Sequence, residues 1–352
     1  PGSGLFVTHD GGDNWARVTE EDGFPSGELG RIGVAVSASN PDVVYAMVEA
    51  TRSELLRSGD GGRSWETIND DPGVNPRPFY YSDIRIDPKN ENRIYRLHSA
   101  VQVSEDRGRS WETVVPSAII HGDIHELWID PDDPRRMILG EDGGIAFTYD
   151  RGDKWRFVEN LALAQFYHID LDDAVPFNVY GGLQDNGSWY GPMTVWENKG
   201  ILNAHWRRVG GGDGFSVMPD RGDPETYGYS MSQGGNLQHF SKITGARRSI
   251  RPVHPDGTQL RFNWNAGLSW DPQEPGTIYL GSQFVHRSPD QGRTWAIISP
   301  DLTTNDPEKQ RAYESGGLTF DASGAEMHTT ILSNQESHLA DGVIWVGTDD
   351  GN

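Results

Sequence analysis

One octapeptide, Ser/Thr-x-Asp-x-Gly-x-x-Trp, recurs five times in 352 residues. It stands at 8–15 (THDGGDNW), 58–65 (SGDGGRSW), 104–111 (SEDRGRSW), 148–155 (TYDRGDKW) and 288–295 (SPDQGRTW). Its aspartates, at 10, 60, 106, 150 and 290, are 50, 46 and 44 residues apart and then 140, about three times the mean spacing. Two copies have therefore decayed in the long gap. A fixed period of this size marks a repeat architecture, in which one small unit stacks on its neighbours. The motif is chemically a turn. The Asp carboxylate accepts backbone N–H bonds from the residues after it, and the Gly takes a positive φ without steric cost. The Trp then opens a strand and buries its ring between units.

Before each octapeptide run two short apolar stretches of period two, separated by Pro/Asp/Asn turn residues. The pairs are 32–37 and 43–48, 84–87 and 93–97, 124–130 and 136–139, 167–171 and 177–181, 215–219 and 226–230, 266–270 and 277–280, and 329–333 and 343–346. Alternation over so few residues predicts strands. Each unit then reads as strand A, strand B, strand C, octapeptide, strand D. Radial repetition of such units is a β-propeller. The chain opens with only a C and a D strand and ends with only an A and a B strand. The expected fold is all-β, a seven-bladed β-propeller closed by a composite blade from the two termini, which would bring Pro1 and Asn352 together. Residues 1–352 form one domain in this reading, and the halved blade suggests excision from a larger multi-propeller protein.

Composition narrows the function. Thirty Lys and Arg against 52 Asp and Glu give a net charge of −22. That excludes a nucleic-acid backbone as the main partner. The longest apolar runs are too short for a membrane-spanning helix, so no membrane insertion is expected. There is no cysteine, and thus no disulfide or thiol chemistry. No cofactor is implied.

The octapeptides and A-to-B turns share one propeller face and read as scaffold. The D-to-A and B-to-C connections share the other, where long loops on rigid strands gather binding residues. The D-to-A segments 69–81, 116–125, 197–215, 252–265 and 301–327 lie there. So do the B-to-C turns carrying Glu141 and Asp142, Asp185 and Asn186, Gln233, Gln283, and Asp349. Amides and carboxylates around one mouth suit a hydroxyl-rich or peptide ligand. His121, Asp123 and His125 alternate on a segment read as extended, so their side chains point one way. Three roles fit them: metal ligands, an acid–base group, or a hydrogen-bonded structural cluster. The run 209–215 (VGGGDGF) allows close backbone approach, either to a ligand or to the channel wall, with Asp213 exposed. Tyr80, Tyr81, Trp206 and Trp264 are sugar-stacking platforms or interblade packing.

The octapeptides, with stretches such as HELWIDPDDPRRMILGEDGGI, VYGGLQDNGSWYGP, SPDLTTND and WVGTDDGN, resemble the Asp-box (BNR) repeat proteins of bacteria. These are described as glycosyl-hydrolase-like or sortilin N-terminal-like. The chain is more distantly similar to xyloglucanase-type hydrolases. In that family two seven-bladed propellers cleave β-glucan in the cleft between them, with inversion, using one Asp from each. Those aspartates lie in B-to-C turns of the form Asp-x-Gly-Gly. Aligning the glycines of LGEDGG places Glu141 at that position, beside Asp142, and TDDGN places Asp349 there, without the second Gly. The resemblance implies acid–base hydrolysis of a polysaccharide or oligosaccharide by Asp142, Glu141 or Asp349, supported by Asp123 and His125. His121, Asp185, Asn186, Asp213, Gln233, Gln283 and the four aromatics would contact ligand. It also implies a second propeller from the same parent chain and a secreted or periplasmic location. The sortilin-type resemblance implies a rival, a non-catalytic propeller that binds a peptide or protein.

Overall fold

The computed structural model describes residues 3–116, 119–161 and 163–351. They divide into two compact units, Pro1–Leu161 with Gly316–Asp321, and Ala162–Ser315 with Ala322–Asn352.

The first unit begins with a two-stranded sheet, β1 (Phe6–Val7) and β2 (Ala16–Arg17). Three four-stranded antiparallel sheets follow. The first is β3 (Leu29–Val36), β4 (Val44–Ala50), β5 (Glu54–Ser58) and β6 (Glu66–Asn69). The second is β7 (Asp83–Asp87), β8 (Asn90–Leu97), β9 (Val101–Ser104) and β10 (Glu112–Val115). The third is β11 (Ile124–Ile129), β12 (Met137–Glu141), β13 (Gly144–Thr148) and β14 (Arg156–Phe157).

The second unit carries three more: β15 (Phe166–Leu171), β16 (Asn178–Leu183), β17 (Gly187–Pro192) and β18 (Arg207–Gly210); β19 (Gly214–Pro219), β20 (Tyr227–Ser232), β21 (Asn236–Ser241) and β22 (Arg247–Ser249); and β23 (Leu268–Trp270), β24 (Ile278–Gly281), β25 (Val285–Ser288) and β26 (Ala296–Ile297). It ends in a pair, β27 (Ile331–Glu336) and β28 (Ile344–Thr348). Every sheet is an up-and-down meander in chain order. The fold is a seven-bladed β-propeller, with the seventh blade's strands divided between the first and last pairs. Pro1 and Asn352, on which the expectation of adjoining termini rests, lie outside the described residues, as do Ser117 and Ala118 of the 116–125 loop.

The central strands are buried on both faces because each sheet packs against neighbours front and back. All seven residues of β4 are buried. Tyr45, Met47 and Leu55 pack against Ile84 and Ile94 of the next sheet, while Ala46, Val48 and Leu56 pack on the other side with Phe24 and Trp65. Each such aliphatic side chain contributes about 1.5–3 kcal/mol when fully buried. Tyr95, Leu97, Leu127 and Leu139 repeat the arrangement between the second and third sheets. Phe215, Met231, Ile278 and Leu280 do so in the second unit.

The octapeptides form the turns their residues predict. In 58–65 the Ser58 hydroxyl donates to Asp60 Oδ1 at 2.7 Å and accepts from Gly62 N–H at 2.9 Å. Asp60 Oδ1 also accepts from the N–H of Arg63 (3.0 Å) and of Ser64 (2.9 Å). Trp65 donates its indole N–H to Gly62 at 3.1 Å.

One connection differs from expectation. Segment 197–215 is not a single D-to-A loop, because β18 interrupts it, and residues 193–206 link strand C to strand D instead. Trp206 thus directly precedes a D strand, the place the octapeptide tryptophans hold in the other blades. It is the surviving Trp of a decayed copy. Its ring lies over Gly191, where a Cβ would sit 2.5 Å from the indole.

Candidate functional site

In the first unit, β12 and β13 are joined by Asp142 and Gly143 alone, with Glu141 paired to Gly144. A two-residue link needs glycine where the chain turns back. A Cβ on Gly143 would stand 2.6 Å from His121 Cβ. The turn fixes both carboxylates. Glu141 Oε2 accepts from Gly143 N–H at 2.7 Å, and His121 Nδ1 lies 3.7 Å away. Glu141 Oε1 is buried without a hydrogen-bond partner. Burial pushes the Glu141 carboxyl above the usual range. The Asp142 side chain, one fifth exposed, reaches His125 Nε2 at 3.1 Å.

The expected extended run from His121 to His125 is not formed. The strand starts at Ile124, Asp123 has φ +57°, and the β11–β12 register shifts between Ile124 and Glu126. Such a bulge re-aims side chains. His121 therefore faces Glu141, Asp123 faces Tyr81, and His125 faces Asp142.

Tyr81 donates its hydroxyl to Asp123 Oδ1. Its ring is 3% exposed, with Tyr80 edge-on at 5.0 Å and His125 at 6.2 Å. Burial, and then the Asp123 carboxylate, push the Tyr81 phenol up, so it stays a protonated donor. Tyr81 is thus a positioning group for Asp123 and not a stacking platform. Tyr80 is half-buried. Arg77 stacks on its ring at 4.2 Å and donates to Asp321 Oδ1 at 2.8 Å. One carboxylate oxygen of Asp123 lies within 4.8 Å of one of Asp142. Two acidic groups, an imidazole and a buried phenol thus converge at the start of β11 and the end of β12. The arrangement can hold and move a proton between Asp142 and His125. Asp123, Asp142 and His125 are also of metal-ligand type, but Tyr81 and the Asp142–His125 pairing already engage them.

The second unit holds the other candidates, and several are occupied structurally. Asp349 accepts from Thr330 N–H (3.0 Å), the Thr330 hydroxyl (2.6 Å) and Asn263 Nδ2 (3.0 Å), so its carboxylate ties β27 to neighbouring loops and is not offered to a substrate. Gln283 is 1% exposed. It accepts from Arg261 N–H at 2.8 Å and donates to Gln259 carbonyl at 3.0 Å, which makes it a loop anchor. Trp264 packs on the cluster of Phe215, Met231 and Phe262. Asp213 is buried and not exposed as expected, and its Oδ1 accepts from Asp185 N–H at 2.9 Å. Asn186 closes the β16–β17 turn through its N–H to Gln184 carbonyl at 2.7 Å. Gln233 alone among them presents an unpartnered side-chain atom, Oε1. Sequence reasoning missed Arg77, Asp321 and the donor role of Tyr81, which depend on contacts across 244 and 42 residues.

Among known proteins, a xyloglucanase of Acetivibrio thermocellus (Xgh74A) is 25% identical over 325 residues, covering 76% of this chain and 38% of its own. A Paenibacillus xyloglucanase is 23% identical over 326 residues, covering 76% of this chain and 31% of its own. The chain is distantly similar to xyloglucanases. It spans little more than a third of the length of these relatives. Among solved structures, the GH74 xyloglucanase from Xanthomonas campestris aligns with 91% of this chain and 44% of its own at 15% identity and a TM-score of 0.30. No family model matches. Among the described residues no helix is long and apolar enough to cross a membrane.

Proposed function

We propose that this chain is a carbohydrate-active propeller module of glycoside-hydrolase type, acting on a polysaccharide with Asp142 as its acid–base carboxylate. The observation that carries this is the Asp142–His125 contact on a two-residue turn, with Asp123 close by and held by Tyr81. The distant similarity to xyloglucanases supports the substrate class. Asp142 keeps partial exposure and an imidazole partner, as a proton-transferring group requires. Glu141, at the position the xyloglucanase alignment favours, has its side chain wholly buried. It shapes the turn beneath Asp142 and does not meet substrate.

Glycoside inversion needs two carboxyl groups about 6.5–9.5 Å apart, with water between. Asp123 and Asp142, within 4.8 Å, are too close to be those two arms. The opposing carboxyl therefore comes from outside this pair, in keeping with a second propeller on the same parent chain. Residues 1–352 act as one domain of that parent, which is exported to the medium or periplasm where polysaccharide is met.

The test is xyloglucan hydrolysis by the full-length parent protein and its Asp142→Asn and Glu141→Gln variants. Asp142→Asn should lower kcat by about 10²–10⁴-fold, the usual worth of a general acid or base. Glu141→Gln should retain most activity. Equal rates for wild type and Asp142→Asn would remove Asp142 from the mechanism.

A further inference from the structure

The glycine run 210–212 lines a cavity of about 370 Å³ within the second unit. The cavity lies between the sheet β15–β18 and the sheet β19–β22. Its wall holds four serines, two glutamines, one asparagine and the three glycines, and no ionisable side chain. Small-molecule pockets begin at about 300 Å³ and are usually apolar. This one has the size and the opposite chemistry.

Three of its polar atoms have no hydrogen-bond partner although they are buried: Ser188 Oγ, Gln233 Oε1 and Gln238 Oε1. Ser188 is wholly buried. Leaving such a group unpaired costs about 1–3 kcal/mol. Neighbours in the same wall are satisfied: Ser230 donates to Val209 carbonyl at 3.1 Å, and Asn236 donates to Gln233 carbonyl at 2.7 Å. The orphans are therefore not a general failure of the wall to bond.

The glycines keep the space open. A Cβ at 212 would lie 2.5 Å from Gln233 Oε1, and one at 210 would lie 2.9 Å from Ser188 Oγ. Gly212 also has φ +69°, which side chains rarely adopt.

We propose that this cavity binds a neutral, hydroxyl-rich small molecule, of the size of one pyranose ring. Two of the orphans are amide carbonyl oxygens, which accept and cannot donate. Ligand hydroxyls satisfy them. An inorganic anion offers no donor, and the wall offers no cation to hold one. The proposal is independent of the Asp142 reading, since the cavity lies within the other unit and contains no carboxylate.

The test is a titration of the 352-residue chain with D-xylose, D-glucose, D-galactose and inorganic phosphate. Binding is followed by saturation-transfer NMR and calorimetry. At least one sugar should saturate, and phosphate should not bind. Gln238→Met, which removes an acceptor at similar volume, should weaken that sugar about tenfold or more. Ser188→Ala, the smaller change, should weaken it too and serves if Gln238→Met does not fold. Asp142→Asn should bind it as wild type does. The proposal is overturned if no sugar saturates, which is a cavity filled by water alone. It is equally overturned if phosphate binds in preference, or if Ser188→Ala binds with unchanged affinity.

Discussion

Replacing Tyr81 by Phe removes one oxygen from the candidate site and leaves its packing intact. The ring is almost wholly buried, so its contacts with Tyr80, His98 and His125 persist. What is lost is the donor to Asp123 Oδ1. A hydrogen bond to a charged acceptor contributes about 1.5–3 kcal/mol, which corresponds to a shift of roughly ten- to hundredfold in the folded-to-unfolded ratio. The clean measurement is a double-mutant cycle with Asp123→Asn. Asparagine tolerates the left-handed φ of Asp123, so the second substitution adds no backbone strain. Urea unfolding of wild type, both single variants and the double variant, followed by tryptophan fluorescence, gives the coupling energy. It should be about 1.5–3 kcal/mol. Tyr81→Phe should also raise the Asp123 pKa, since the lost bond favoured the ionised form. The acid limb of any Asp123-dependent activity then moves to higher pH. A coupling below about 0.5 kcal/mol, the scatter expected of independent sites, would refute the claim that Tyr81 positions Asp123.

Three further outcomes are expected. Burial raises the Glu141 pKa, so the folded state keeps a proton the unfolded chain has released, and stability falls as pH rises above the unfolded carboxyl value. Glu141→Gln should flatten that fall in thermal melts taken across the acidic-to-neutral range, and parallel curves would count against it. Burial lowers His286 from the usual 6.5 to about 4, with Ser282 Oγ 2.8 Å from its Nε2. Its NMR titration should have a midpoint near that value, and stability should fall as pH drops from 6.5 towards 4; a midpoint near 6.5 would contradict the burial argument. Ser58→Ala strands the Gly62 N–H in a buried corner and should cost about 1–3 kcal/mol in urea unfolding. Ser58→Thr should be tolerated, because Thr8 and Thr148 make the equivalent bonds.

The blades were legible because their information is local. An octapeptide closes its own hydrogen bonds, and alternating apolar residues mark the strands on either side. The decayed copy at Trp206 was not legible, because its turn lengthened to 193–206 and lost the Asp and Gly while the Trp stayed. The site was legible only in part. Position on a B-to-C turn correctly drew attention to Asp142, yet Asp349 and Gln283 sit on the same kind of turn and are consumed by donors 19 to 86 residues away. Nothing in a turn's own sequence tells whether a distant loop will claim its side chain. The bulge at Asp123 is equally silent, since an Asp at positive φ looks like any other Asp in the chain. The polar cavity is assembled from serines and glutamines of two sheets, residues that read individually as ordinary surface.

The octapeptide aspartates carry a consequence for where such a scaffold can work. Hydrogen bonds from the side chain and backbone of Ser64 and from Ser58 hold the Asp60 carboxyl far below its usual range. Burial works against the same effect at Asp106, but Ser110 and Ser104 still bring it down to about 2. A carboxylate depressed in the folded state supports folding above its unfolded pKa and withdraws that support only as pH falls through the depressed value. These corners therefore keep their anions in sour surroundings where ordinary carboxylates are already half neutralised. Acid should loosen this protein elsewhere, at groups such as His286, before its blade corners let go.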